Sequence, residues 1–178
     1  MRQRLEYAAV MLVRGVLRLL PHAIVRVMGA FVGLMFYTLD RGHRRIALTN
    51  LGQSFPTRSP RELRRTTRRM FAHFGRLLFE ILKFSTMSDA EMMRRVEFEG
   101  EDRARLAYAQ GKGVLFFTGH FGFWELHAMV HALQIQPIGL LARALDNPYL
   151  NDLLENIRQR TGNFVIYRQG TIRRVMRR

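Results

Sequence analysis

His120 and Glu125 are the two residues of this chain best equipped for chemistry. They lie in the stretch Gly113-Val-Leu-Phe-Phe-Thr-Gly-His-Phe-Gly-Phe-Trp-Glu125, with four residues between them. An imidazole held at one nitrogen by a carboxylate keeps the other nitrogen free to take a proton from a hydroxyl. The carboxylate fixes the tautomer and stabilises the imidazolium that forms. No Ser stands in a Gly-x-Ser-x-Gly elbow and Cys is absent, so the chain offers neither of those nucleophiles. The acceptor's own hydroxyl would attack an activated acyl group in one step, and backbone N–H groups freed by Gly119, Gly122 and a helix start could receive the oxyanion. A histidine satisfied by a neighbouring carboxylate is commonly structural. Placement at the carboxyl end of a buried strand favours chemistry, because open α/β sheets bind ligands there.

The elements that must position this pair follow from periodicity. Val114 to Thr118 is apolar, β-branched and aromatic, and predicts a strand buried on both faces. From Trp124 the apolar residues Leu126, Met129, Val130 and Leu133 take helical spacing. Pro137 to Ala144 predicts a second strand, with Arg143 near its end. Asn147-Pro148 caps a helix to about Arg160 that carries Leu150, Leu153, Leu154 and Ile157. Phe164 to Tyr167 is a further strand, and a basic helix is expected from Thr171. Val96 to Phe98 is a short strand after a helix beginning near Met87, and Glu101 to Gln110 is a helix stopped by Gly111. Strands alternating with helices predict an α/β fold: a mostly parallel sheet flanked by helices, preceded by an N-terminal helical membrane-associating segment.

That N-terminal segment is residues 1–45. Leu5 to Leu20 has helical apolar spacing interrupted by Arg14 and Arg18 and ended by Pro21; Ala23 to Leu39 is strongly apolar but carries Arg26, and Asp40-Arg-Gly-His-Arg-Arg45 closes it with cations. A spanning helix needs about 20 apolar residues. A hairpin lying in the membrane interface fits better than a span, and two core helices of a soluble domain are the plainer alternative. No cleavable signal pattern is present. Residues 46–178 form the second region. Asn50 to Pro56 reads as a turn-rich connector. Ser59-Pro60-Arg61-Glu62 is a helix start with a capping box, and Leu63, Met70, Phe74, Leu77 and Ile81 form that helix's apolar stripe. Arg61, Arg64, Arg65, Arg68 and Arg69 give it a basic surface. The chain stops inside its last expected helix, which predicts a domain whose C-terminal part is missing.

Composition bounds the rest. A chain of 178 residues that is 48% hydrophobic can bury a core. Without Cys there are no disulfides or thiolate metal sites. The formal charge is +15, and all but two of the 29 basic residues are arginine, suited to phosphate and carboxylate. Such charge fits an anionic membrane surface, a phosphorylated substrate, an acidic carrier protein or nucleic acid. Nucleic acid is disfavoured, because the arginines spread over several expected helices and no recognised binding motif is present. His127 and His131, spaced i, i+4, raise a metal site. Ala128 stands where a zinc-protease motif needs Glu, so no metal is expected.

Gly119-His-Phe-Gly-Phe-Trp-Glu125 after a hydrophobic strand resembles the His-x4-Asp/Glu motif of the lysophospholipid acyltransferase superfamily. It is most similar to the branch of bacterial lipid A biosynthesis (lauroyl/myristoyl) acyltransferases. Asn50-Leu51 with Phe55-Pro56, Glu80, Gly111-Lys-Gly113, Arg143 with Asn147-Pro148, and Arg160-Thr-Gly162 occur in that order in the branch. The resemblance implies a membrane-associated acyltransferase at the cytoplasmic face of the bacterial inner membrane, without a cofactor. Its donor would be acyl carrier protein or acyl-coenzyme A, and its acceptor a glycolipid hydroxyl. By motif match His120 is the general base, Glu125 its partner, and Arg143 a basic residue placed to hold a substrate phosphate or hydroxyl. A phospholipid or phosphatidylinositol mannoside acceptor, or a non-catalytic basic fragment binding membrane or nucleic acid, are the alternatives. Members of the branch continue past this length with further strands and substrate residues.

Overall fold

The computed structural model describes residues 1–119 and 122–167. His120 and the expected helix from Thr171 lie outside the described residues. In chain order the elements are α1 (Arg2–Leu19), α2 (His22–Leu39), α3 (Arg41–Ser54), α4 (Pro60–Phe84), α5 (Asp89–Met93), α6 (Glu101–Ala109), α7 (Trp124–Gln134), β1 (Gly139–Ala142), α8 (Pro148–Gln159) and β2 (Phe164–Tyr167). They group into two compact units: Val13–Thr86, and Met1–Leu12 with the described residues from Met87 onward.

The Val13–Thr86 unit is helical. Ser59 starts α4 as its sequence requires: the Glu62 amide donates to Ser59 Oγ at 3.3 Å and the Ser59 amide donates to Glu62 Oε2 at 2.9 Å. These bonds hold the Glu62 carboxyl down at about 2, the Ser59 amide contributing most and Arg58 next. Helix α4 runs antiparallel to α2, and glycine sets their spacing. A Cβ on Gly29 would stand 2.7 Å from the Gly75 carbonyl oxygen and 2.8 Å from Arg76 Cα; one on Gly33 would overlap the Phe71 carbonyl. The backbones therefore touch where side chains would otherwise hold them apart, as small-residue pairs allow. Further along, Glu80 Oε1 lies 3.5 Å from His22 Nε2 and 3.4 Å from Arg26 Nε. Arg14 and Arg18, which interrupt the apolar stretch of α1, meet the end of α4. Arg14 Nε donates to Ser85 Oγ at 2.8 Å, and Lys83 Nζ donates to the carbonyls of Arg18 and Leu20 at 2.8 and 3.0 Å.

Two expectations change here. Helix α3 takes in Asn50 to Ser54 of the expected connector and leaves only Phe55 and Pro56 outside it; Asp40 caps the helix, its carboxylate accepting from the His43 amide at 3.0 Å. The α4 stripe is also only partly covered. Leu77 is buried, while Phe74 stays exposed.

In the other unit, β1 and β2 pair in parallel with Gly139 opposite Phe164 and Ala142 opposite Tyr167. The helix between them is the crossover that a parallel pair requires. Asn163, 3% exposed, ties the sheet to α7: its Oδ1 accepts from the Ile138 amide and its Nδ2 donates to the Ala128 carbonyl, both at 2.9 Å. The expected helix caps at Asn147 and the strand at Phe164 to Tyr167 are present. The large parallel sheet is not: among the described residues the sheet has two strands, and the molecule is mostly helical. Val96 to Phe98 and Val114 to Thr118 lie outside it. The second run is open to solvent, with Leu115 68% and Phe117 89% exposed. A strand buried on both faces needs a neighbour at each edge and helices over each face. The described residues place β1 and β2 on each other and supply that run with neither. Phe116 instead sets its ring 5.0 Å from that of His131.

Candidate active site

Glu125 enters in the first turn of α7, three residues after Gly122, whose φ of 62° turns the chain into the helix. Its carboxylate does not face water. Arg158, in the last turn of α8, donates from Nε to Oε2 at 2.9 Å and from Nη2 to Oε1 at 2.6 Å. The two side chains are 13% and 18% exposed, so this is a partly buried bidentate pair. The Glu125 hydrogen bonds raise the Arg158 pKa above its ordinary value despite burial, with Tyr167 and Glu155 adding to the effect. The guanidinium therefore stays charged. A polar network continues behind it. Tyr167, closing β2, donates its hydroxyl proton to Glu155 in a short hydrogen bond and accepts from Asn151 Nδ2 at 2.8 Å. Burial and the Glu155 carboxylate push the Tyr167 phenol above its usual value. Helices α7 and α8 and the end of β2 are thus joined through charged and polar groups that face one another.

An ionised carboxylate has about four acceptor positions. The bidentate pair uses two. Glu125 can therefore be held by Arg158 and still accept a third hydrogen bond, from an imidazole N–H.

Arg143 is placed differently. It follows β1, is 85% exposed, and its Nη2 lies 3.9 Å from the 99%-exposed Asp146. Such a pair adds little stability, which leaves Arg143 available to an anionic group, and it takes no part in the Glu125 pair. Asn147, beside it, is buried. It caps α8 by accepting from the Tyr149 and Leu150 amides at 3.1 and 3.4 Å, and it donates to the Gln3 carbonyl at 2.9 Å and to Glu6 Oε2 at 2.8 Å. The Arg143–Pro148 loop is thereby fastened to the first turns of α1. His131, half of the i, i+4 histidine pair, has Nε2 engaged with the Tyr108 hydroxyl at 2.9 Å, and burial lowers its pKa.

Arg158 is the residue that sequence reasoning missed. A signal was present: Leu150, Leu154 and Arg158 recur at i, i+4, i+8, so the cation stands in line with an apolar stripe and needs a partner there.

The described residues thus hold a carboxylate in the first turn of a helix, clamped by an arginine from the next helix. The chain belongs to the bacterial lipid A biosynthesis acyltransferase family, whose model matches residues 2–178. Among curated proteins it is similar to the lipid A biosynthesis myristoyltransferase of Escherichia coli (strain K12), at 25% identity over 135 residues, covering 76% of this chain and 41% of that protein. The chain thus spans about two fifths of the length of that relative. No solved structure matches it.

Proposed function

We propose that this chain carries the general-base half of a lipid acyltransferase. The enzyme passes a fatty acyl group from a thioester, of acyl carrier protein or coenzyme A, to a hydroxyl of a lipid A precursor at the cytoplasmic face of the inner membrane. Family membership and the activity named in the E. coli relative support the reaction class. The observation that carries the mechanism is the Arg158 clamp on Glu125. It holds the carboxylate in one orientation, as a group that fixes an imidazole requires.

In this mechanism His120 takes the proton of the acceptor hydroxyl as its oxygen attacks the thioester carbon. Glu125 stabilises the imidazolium. Backbone amides at the turn into α7 receive the developing oxyanion. Collapse breaks the carbon–sulfur bond, forms the ester, and returns the proton from His120 to the leaving thiolate. Arg143 receives a phosphate of the glycolipid, and residues 1–45 hold the enzyme at the membrane.

The test is ester formation on a vesicle-embedded lipid A precursor, with both thioesters as donors, by the native chain, by a form extended with any downstream coding sequence, and by His120→Ala in each. Transfer that vanishes on His120→Ala supports the reading. Undiminished transfer by that variant, or none in either length of the native protein, refutes it.

A further inference from the structure

Helix α2 is long and apolar enough to cross a bilayer, and most of its surface is open. Its partner is not built to accompany it. The pairing with α4 runs along α2 from His22 to Tyr37: the Tyr37 ring lies against Phe71, Gly33 against Phe71 and Ala72, Gly29 against Gly75 and Arg76, Arg26 beside Glu80, and the His22 ring against Phe84. Carrying α2 through the hydrocarbon would carry α4 with it. Arg76 would then sit level with Gly29, near the middle of the span, with the Arg26–Glu80 pair three to four residues further along the two helices. Arginines near helix ends can snorkel to the headgroups; those at mid-depth cannot do so cheaply.

The same unit has an obvious apolar receptor. A groove of about 700 Å³ opens between α2, α3 and α4, lined by Phe36, Ile46, Leu51, Phe74 and Leu78, with Asp40 and His43 at one end. Elsewhere on α2 further apolar side chains are open, with Val27, Phe31 and Leu39 each about 70% exposed. Two of the helices that form it carry exposed cations. Arg41 and Arg45 flank His43 on α3, and Arg64, Arg65, Arg68 and Arg69 are exposed along the first half of α4. An apolar slot between helices that carry exposed arginines matches an acyl tail beneath an anionic headgroup.

We propose that α2, α3 and α4 form an in-plane membrane seat. In it α2 lies along the bilayer surface without crossing, and the groove takes one acyl tail of an anionic membrane lipid. The inference rests on the membrane association proposed above, and adds its topology and a lipid site.

The absence of cysteine makes the test direct, since single introduced cysteines have no background. Pro21→Cys and Gly42→Cys mark the two ends of α2. Each full-length variant is added to preformed vesicles of phosphatidylethanolamine and phosphatidylglycerol and treated with a membrane-impermeant maleimide from outside. The seat predicts labelling at both ends; protection of one end alone overturns it. A nitroxide at Ala47→Cys, in the groove, or at Asn50→Cys, on its lining, should lose access to a water-soluble nickel relaxant and gain access to oxygen on binding. Unchanged nickel access at both positions overturns the lipid site. Co-sedimentation separates the two levels of the argument. Protein that does not sediment with these vesicles contradicts membrane association itself, whereas protein that sediments and labels at one end contradicts only the in-plane seat.

Discussion

Arg158 grips both carboxylate oxygens of Glu125, at 2.6 and 2.9 Å, across the space between α7 and α8. Glu125 is thereby a residue in a fixed position, not a side chain sampling solvent. The pair also joins α8 to the candidate site.

Removing the clamp should loosen the site and the fold together. Arg158→Met leaves a partly buried carboxylate unpaired and is expected to cost about 2 kcal/mol of stability, read by denaturant unfolding. Glu125→Leu with Arg158→Met should recover part of that loss, because two matched apolar groups leave no orphaned charge. Additive losses in the double variant would show that the pair contributes no coupling.

Glycines at the α2–α4 crossing should be intolerant of a methyl group. Gly33→Ala drives a Cβ into the Phe71 carbonyl and should destabilise by about 1–3 kcal/mol. Gly15→Ala, in α1 with nothing within 4 Å, should be neutral or stabilise by up to about 1 kcal/mol through helix propensity. Thermal unfolding of the two variants checks both signs.

How far the sequence revealed this arrangement depends on what each signal requires. Capping boxes and caps are local, so Ser59, Asn147 and the strand at Phe164 to Tyr167 were legible. The α2–α4 crossing was not, although Gly29 and Gly33 stand at the spacing of a close-packed helix pair; a glycine pair means something only when its partner, Gly75, is known. Val114 to Thr118 looked like a core strand because apolar β-branched runs do so by composition, but pairing is a property of neighbours. Glu125 was legible as chemistry from its distance to His120. Its clamp was not, because Arg158 is 33 residues away and only the fold brings the two together.

His131 should report its burial. Desolvation lowers its pKa below the ordinary 6.5, so the unfolded chain binds a proton more readily than the folded one. Stability from this group is whole above pH 6.5 and declines as pH falls toward the folded value. An NMR titration of the His131 imidazole should give a midpoint below 6.5; a midpoint at or above it contradicts the burial.

At the start of α4 the sign is also positive with pH, through a different group. Glu62 is held at about 2, so its contribution is complete above the ordinary 4.5 and is lost as pH falls toward 2. Ser59→Ala removes the cap and should cost about 1 kcal/mol. It should also move the Glu62 titration upward; an unmoved Glu62 would show that the capping box does not form in solution.

The central claim is that Glu125, held by Arg158, orients the base of an acyl transfer. The most direct measurement is the kcat of Glu125→Gln against the native enzyme, in whichever length of protein transfers acyl groups, with folding verified in parallel. Glutamine keeps the shape and one acceptor oxygen but cannot stabilise an imidazolium. The account predicts a fall of roughly 100-fold or more in kcat, the scale of general-base catalysis, with little change in KM. A Glu125→Gln enzyme that folds and transfers acyl groups at the native rate would contradict it.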